Sequence, residues 1–216
     1  MDPERNLTII VKGTDTSDTD ERYWPGSEFR DAVSNTLREE ATVAEGIMTN
    51  HMSSREAMAA KILGLVQANL FADGEQLNIV AHSHGRQAAL LYSQLPGAVR
   101  IDNLVTLNGP VRNDIRANSG LIGNHVHAYN RKDPIAPRGG GLDGPTWQFW
   151  KHKPAELVDP RNGVNNVDIT FYPAGPRCPG CGAPTSSGQS WSSAHNGADP
   201  KIWRSYIDPT LRQLWS

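Results

Sequence analysis

The sequence contains little cysteine, no cluster of basic residues and no long apolar run. Its two cysteines, Cys178 and Cys181, are too few for a disulfide framework or for a four-thiolate zinc site. The net charge of −2 and the scattered Lys and Arg residues argue against binding to nucleic acid. No apolar run approaches the roughly 18 residues of a membrane span, and the first residues lack the pattern of a secretory signal. We therefore expect a cytoplasmic protein, and export by a route that needs no cleaved signal is left open.

The two cysteines lie close together in the run Arg177-Cys-Pro-Gly-Cys-Gly182. This spacing is compatible with an ordinary turn that carries free thiols or a local disulfide, with a metal site completed by histidine, and with redox chemistry. The turn is favoured, because the motif does not open a helix in a βαβ unit as a thioredoxin-like site would. The sequence therefore predicts no resident metal and no organic cofactor.

The 216 residues, 38% of them hydrophobic, suffice for one domain over residues 1–216 with a single core. Ser27 is expected to cap the first helix, and Ser53 with Glu56 has the spacing of a capping box before the second. Strands are predicted at 7–11, within 42–48, and at 77–81, 101–107, 125–129 and 167–172, and helices at 28–37, 57–71, 85–95 and 201–214, with a loop at 14–27. This alternation predicts right-handed βαβ units and a three-layer α/β fold with a mostly parallel central sheet.

Ser83 stands between a predicted strand and a predicted helix, in the segment Ala81-His-Ser-His-Gly85. Small residues two positions before and two after a serine allow the very sharp turn that lifts its hydroxyl above a sheet. A serine that merely caps the helix is the alternative interpretation. The strand, the turn and the helix together favour Ser83 as a nucleophile.

The segment Ile79-Val-Ala-His-Ser-His-Gly85 resembles the nucleophile elbow of lipases and esterases of the α/β-hydrolase superfamily, with Ala81 in place of the first glycine. Two further segments, Tyr23–Ser27 and Leu104–Pro110, are similar to bacterial lipase-like proteins, some of which are secreted antibacterial phospholipase effectors. The resemblance implies an α/β-hydrolase fold and a serine esterase. It also implies the chain order serine, acid, histidine for a catalytic triad.

His195 is the last histidine of the chain, and it follows the last predicted strand, where the resemblance places the catalytic base. Asp133 is the predicted acid, because it lies in a loop just after the predicted strand 125–129, and loops at such strand ends carry sites in α/β sheets. The alternative for Asp133 is a plain turn residue before Pro134. Its rivals as the acid are Asp168, Asp159 and Asp143.

Acyl transfer also requires two main-chain N–H groups that stabilise an oxyanion. The predicted donors are the amides of His84 and Thr14. The loop Lys12-Gly-Thr14 departs from the His-Gly of related lipases, but main-chain donors do not require that histidine. His82 is expected to support the site and His84 to line the pocket mouth. A zinc site built from these two is not favoured, since no further ligands are evident.

Aromatic residues cluster in a Gly/Pro-rich region, residues 136–191, which we interpret as a lid or insertion. Trp147, Phe149 and Trp150 would form an acyl-binding wall or would pack against the core. The expected partner is a small-molecule ester or a lipid or phospholipid acyl ester, and a transient contact with a membrane surface is compatible with it. A small-ester carboxylesterase or thioesterase, a non-catalytic binding protein on the same fold, and a metal-binding module around the two cysteines are the alternatives. The sequence does not fix the oligomeric state.

Overall fold

The computed structural model describes residues 6–13, 20–46, 48, 51–69, 71, 74–112, 115–131, 133, 163–170, 195 and 197–216. Several predicted features lie outside these residues: Thr14, Asp143, Asp159, both cysteines, the three clustered aromatic residues, and all of 136–191 except 163–170. In the part that is described, no helix is both long and apolar enough to cross a membrane.

Six parallel strands form one sheet in the order β2-β1-β3-β4-β5-β6. The strands are β1 (Leu7–Val11), β2 (Thr42–Val43), β3 (Leu77–His82), β4 (Ile101–Leu107), β5 (Ile122–Tyr129) and β6 (Val164–Asp168). The α/β fold is thereby confirmed. The strand order reverses between β1 and β3, and such a switch point opens a crevice at the carboxyl ends of the strands.

Helices cover both faces of the sheet. They are α1 (Glu28–Leu37), α2 (Met52–Ala68), α3 (Gly85–Tyr92) and a C-terminal helical segment, residues 200–215, made of Pro200–Ile202, the π-turn Trp203–Ile207 and Asp208–Trp215. Successive side chains of β1 point to opposite faces of the sheet and so belong to two separate cores. Ile9 and Val11 pack with α2 and α3, whereas Ile10 packs with α1 and the C-terminal segment. These are the three layers that the sequence predicts.

A row of three asparagines, of which Asn78 and Asn103 are fully buried, crosses the amino-terminal half of the sheet. Asn103 donates to Asn78 Oδ1 at 2.7 Å, and Asn124 donates to Asn103 Oδ1 at 2.9 Å. The indole N–H of Trp215, in the C-terminal segment, also donates to Asn103 at 2.9 Å. A slip of one residue between these strands would leave buried amides without partners, so the row helps to fix the register.

Most predicted elements are confirmed, but several boundaries differ. Ser27 caps α1 by accepting from the Arg30 N–H at 3.3 Å, as predicted. The capping box at Ser53 is wrong, because α2 already begins at Met52 and has no side-chain cap. β5 begins three residues early, α3 ends at Tyr92, and a 3-10 turn, Glu21–Tyr23, lies in the predicted loop. β6 is earlier than predicted because it pairs with β5 from Val164 onward and ends where β5 ends.

Candidate active site

The turn after β3 holds its serine in an unusual backbone conformation. Only Ser83 and His84 separate β3 from α3, and Ser83 has a φ of 53°, in the left-handed region that residues other than glycine seldom adopt. Gly85 permits the turn, because a Cβ there would lie 2.5 Å from the carbonyl oxygen of Val11 and 2.8 Å from that of Lys12. The close packing of this turn against the end of β1 therefore requires glycine.

The serine lies at the switch point of the sheet, beside the chain that leaves β1. A Cβ on Gly13 would stand 2.8 Å from the Cβ of Ser83 and 3.4 Å from its Oγ. The N–H of Ser83 donates to the carbonyl of Leu107 at 2.9 Å, so it holds the turn against β4. The loop predicted to carry an oxyanion donor thus begins against Ser83, although Thr14 itself lies outside the described residues.

The structure brings together the three residues predicted as a triad. His195 Nε2 lies 2.8 Å from Ser83 Oγ, and His195 Nδ1 lies 2.7 Å from Asp133 Oδ2. An ionised carboxylate only accepts hydrogen bonds, so Nδ1 carries the proton in the neutral imidazole and Nε2 is left as an acceptor. The Ser83 hydroxyl therefore donates to His195. Asp133 is buried, with 4% of its surface exposed, which limits the access of water to its hydrogen bond with His195.

Of the rival acids, Asp168 has other partners. It accepts a hydrogen bond from the Thr170 N–H at 2.9 Å and pairs with Arg131 Nε at 2.9 Å. Burial tends to raise the pKa of Asp168, but these contacts hold it below its ordinary value. Asp168 thus fixes the chain after β6, whereas Asp133 contacts the imidazole of His195.

A second histidine lies behind the first. The ring of His82 sits between the Tyr23 hydroxyl, 3.1 Å from Nδ1, and the carbonyl oxygen of His195, 2.9 Å from Nε2. Burial, helped by the nearby charges of His195 and Arg22, lowers the pKa of His82 to about 3, so this ring is neutral at physiological pH. His82 was predicted to support the site, and the structure gives its ring two hydrogen-bond partners, Tyr23 and His195. Sequence reasoning noted Tyr23 only as part of a lipase-like segment and did not predict its contact with His82, because no periodic pattern links the two residues.

His84, the residue after Ser83, is also buried, with 6% of its surface exposed. It occupies the N-cap position of α3 without a side-chain capping hydrogen bond. Ser83 precedes the N-cap position, and its hydroxyl is bonded to His195. The alternative interpretation of Ser83 as the cap of α3 is therefore not supported. Among the residues that the structure describes, no three His, Cys, Asp or Glu side chains come together to hold a metal ion.

The chain matches no model of a known protein family and no curated protein sequence. Among solved structures, it is similar to a protein described as a YdeN-like hydrolase from Pectobacterium atrosepticum, with 13% identity, 76% of this chain and 77% of that one covered, and a TM-score of 0.45. A cutinase-like protein from Cryptococcus sp. shows 11% identity, coverage of 97% and 95%, and a TM-score of 0.44. A cell surface hydrolase from Lactobacillus plantarum shows 10% identity, coverage of 78% and 83%, and a TM-score of 0.40. At such identities and scores, these names do not determine the activity of this chain.

Proposed function

We propose that this protein is a serine hydrolase that cleaves carboxylic esters by acyl transfer through Ser83. One observation carries the proposal: a continuous row of hydrogen bonds joins the Ser83 hydroxyl, the His195 imidazole and the buried Asp133 carboxylate. A serine in a plain turn needs neither an imidazole nor a carboxylate behind it. The three groups stand at the carboxyl edge of the sheet, where ligands bind in open α/β folds.

In the proposed reaction, Ser83 Oγ attacks the carbonyl carbon of the ester, and its proton passes to His195 Nε2. Asp133 accepts the hydrogen bond from Nδ1 and stabilises the imidazolium that forms. The bond to the leaving oxygen then breaks, and the alcohol departs with the proton from Nε2. This leaves an acyl group on Ser83.

The second half of the reaction uses the same atoms with water in place of the alcohol. Water attacks the acyl carbon while His195 Nε2 takes its proton, and the acid leaves as Ser83 Oγ regains a proton. The proposed oxyanion donors are the main-chain amides of His84 and Thr14. The close approach of Gly13 to Ser83 supports a donor from that loop.

We propose a lipid or phospholipid acyl ester as the substrate, and a groove beside Tyr23 supports this choice. The groove has a volume of about 390 Å³, and its apolar side is formed by Trp24, Pro25, Val43 and Leu65. Trp24 is 47% exposed, which is unusual for so large an apolar side chain. Tyr23 borders the groove and also contacts His82, the residue before Ser83. In this proposal only the far end of a long acyl chain occupies the groove. Charged side chains complete the rim: Arg30, Glu45 and Lys61.

The proposal is tested with a chain-length series of nitrophenyl esters and with phospholipid vesicles, on wild type and on Ser83→Ala. We expect ester hydrolysis that rises with acyl length and that Ser83→Ala abolishes. Cleavage of only the shortest esters would indicate a small-ester carboxylesterase instead. Equal turnover by wild type and Ser83→Ala would contradict the proposed function.

A further inference from the structure

The contacts of His82 fix which of its ring nitrogens carries the proton. The carbonyl oxygen of His195 can only accept, so His82 Nε2, at 2.9 Å from it, must be the donor. The ring is neutral, so Nδ1 carries no proton and accepts from the Tyr23 hydroxyl at 3.1 Å. A directed row results, from the Tyr23 hydroxyl through the His82 ring to the main chain of His195.

We propose that His82 and Tyr23 are positioning residues, which hold the main chain of His195 so that its imidazole meets Ser83 and Asp133. The inference rests on the function proposed above, and it assigns to His82 a part distinct from that of a base or a metal ligand. Both ring nitrogens of His82 are already engaged, and its ring lies 5.3 Å from that of His195, centroid to centroid.

The main chain at His195 needs such an anchor because it is remote in sequence from both of its side-chain partners. It follows Ser83 by 112 residues and Asp133 by 62. Its carbonyl accepts both from His82 and, at 3.0 Å, from the N–H of Gly197. Gly197 in turn packs on Leu107, where a Cβ would come within 2.8 Å of the leucine Cβ. The buried His82 therefore ties His195 directly to the strand that carries the nucleophile.

The surroundings of Tyr23 keep this row in place. Asp20 and Arg22 form an ion pair, with Arg22 Nε 2.8 Å from Asp20 Oδ1. The Arg22 guanidinium lies 5.5 Å from the centre of the Tyr23 ring, in the geometry of a cation–π contact. Phe29 packs edge-on against Tyr23, with the ring centroids 6.1 Å apart. The Tyr23 ring is thus held by Arg22 and Phe29 while its hydroxyl contacts His82.

The test compares His82→Gln, which retains an N–H donor near the position of Nε2, with His82→Leu, which removes it. Hydrolysis of nitrophenyl butyrate is followed for kcat and KM, together with the thermal unfolding midpoint. We expect His82→Gln to keep most of kcat and His82→Leu to lose up to about 100-fold, with KM nearly unchanged, because a misplaced imidazole slows the reacting step. His82→Leu also leaves the buried Tyr23 hydroxyl without this partner, so all rates are measured well below the unfolding midpoint of each variant.

Tyr23→Phe removes only the hydroxyl and should lower kcat, although less than His82→Leu. Tyr92→Phe is its matched control, since the hydroxyl of Tyr92 is bonded to Val99 at the far end of α3. Tyr92→Phe should leave kcat unchanged. A long-range ¹H–¹⁵N spectrum should show His82 neutral with its proton on Nε2.

Three results would overturn the inference: equal kcat for His82→Leu and His82→Gln, activity that follows thermal stability across the variants, or a proton on His82 Nδ1. The failure of the proposed function is recognised separately. If Ser83→Ala keeps wild-type turnover, the function itself is wrong. If Ser83→Ala is inactive while His82→Leu matches wild type, only the positioning role is wrong.

Discussion

The Nε2 atom of His195 lies 2.8 Å from the Oγ of Ser83, across a separation of 112 residues. The turn after β3 places Ser83 at the carboxyl edge of the sheet. The imidazole of His195, which follows β6 in the chain, contacts Ser83 there. The carboxylate of Asp133, which follows β5, completes the row. Three distant parts of the chain thus converge at one edge of one sheet.

Asp133→Asn should lower kcat for ester hydrolysis by about three to four orders of magnitude, because an amide no longer favours the imidazole tautomer that can accept the serine proton. Asp168→Asn is the matched control. Its partner Arg131 is 55% exposed, so the lost ion pair should cost less than about 1 kcal/mol of stability and leave kcat unchanged. A large loss of kcat in Asp168→Asn, with Asp133→Asn fully active, would reverse the two assignments.

Gly85→Ala should destabilise the fold by about 1–3 kcal/mol and reduce activity, because its Cβ would meet main-chain oxygens of Val11 and Lys12 that cannot move alone. Gly64→Ala makes the same chemical change on the open surface of α2, where a Cβ meets nothing within 4 Å. It should stabilise by about 0.5–1 kcal/mol through helix propensity. Denaturant unfolding of both variants checks the pair, and a neutral Gly85→Ala would show that the turn is looser than described.

The stability of the fold should fall as the pH drops below about 6.5, the ordinary pKa of histidine. Burial lowers the pKa of His82 to about 3 and also lowers that of His125, which lies near Arg86 and His127. Below pH 6.5 the unfolded chain therefore binds protons at these positions while the folded chain does not, down to about pH 3 in the case of His82. Each group then costs about 1.4 kcal/mol per pH unit. Above pH 6.5 neither state is charged, so these groups contribute no slope.

Urea unfolding at pH 7.0, 6.0 and 5.0 measures this slope. His82→Gln should reduce the slope by about 1.4 kcal/mol per pH unit, the contribution of one proton. Stability that stays constant or rises from pH 7.0 to 5.0 would show that these rings are charged in the fold.

Trp24→Ala should raise KM for long-chain nitrophenyl esters and leave short-chain esters nearly unaffected, because only a long acyl chain would reach the groove. Trp215→Ala removes an indole of similar exposure, 41% against 47%, which is bonded to Asn103 in the amino-terminal half of β4. It should not change the preference for chain length. Equal effects of the two variants on long and short esters would argue against the groove as an acyl site.

The sequence was sufficient to predict what depends on local pattern. The apolar runs of β1, β3 and β4 and the strand–turn–helix around Ser83 follow from spacing and residue size. β6 was harder, since Asn165 and Asn166 interrupt its apolar character and its bounds are set by pairing with β5. The same holds for the asparagine row, whose members have partners only once the strands are in register.

The candidate site divides in the same way. Ser83 could be chosen from its local pattern and Asp133 from its position after a predicted strand, whereas His195 was chosen from the chain order that the family resemblance implies. The contact of Tyr23 with His82 could not, because it joins residues 59 positions apart through a loop without a periodic pattern. The direction of that hydrogen bond also depends on burial, because burial lowers the pKa of His82 and keeps its ring neutral. The burial of a single histidine cannot be predicted from the residues next to it in the sequence.

The central claim, that Ser83 is an activated nucleophile, is tested most directly by reaction with a fluorophosphonate followed by intact-mass and peptide mapping. Wild type should gain one probe adduct on Ser83, Ser83→Ala should gain none, and His195→Ala should react far more slowly. Undiminished labelling of Ser83→Ala, or no labelling of the folded wild-type protein, would contradict the account.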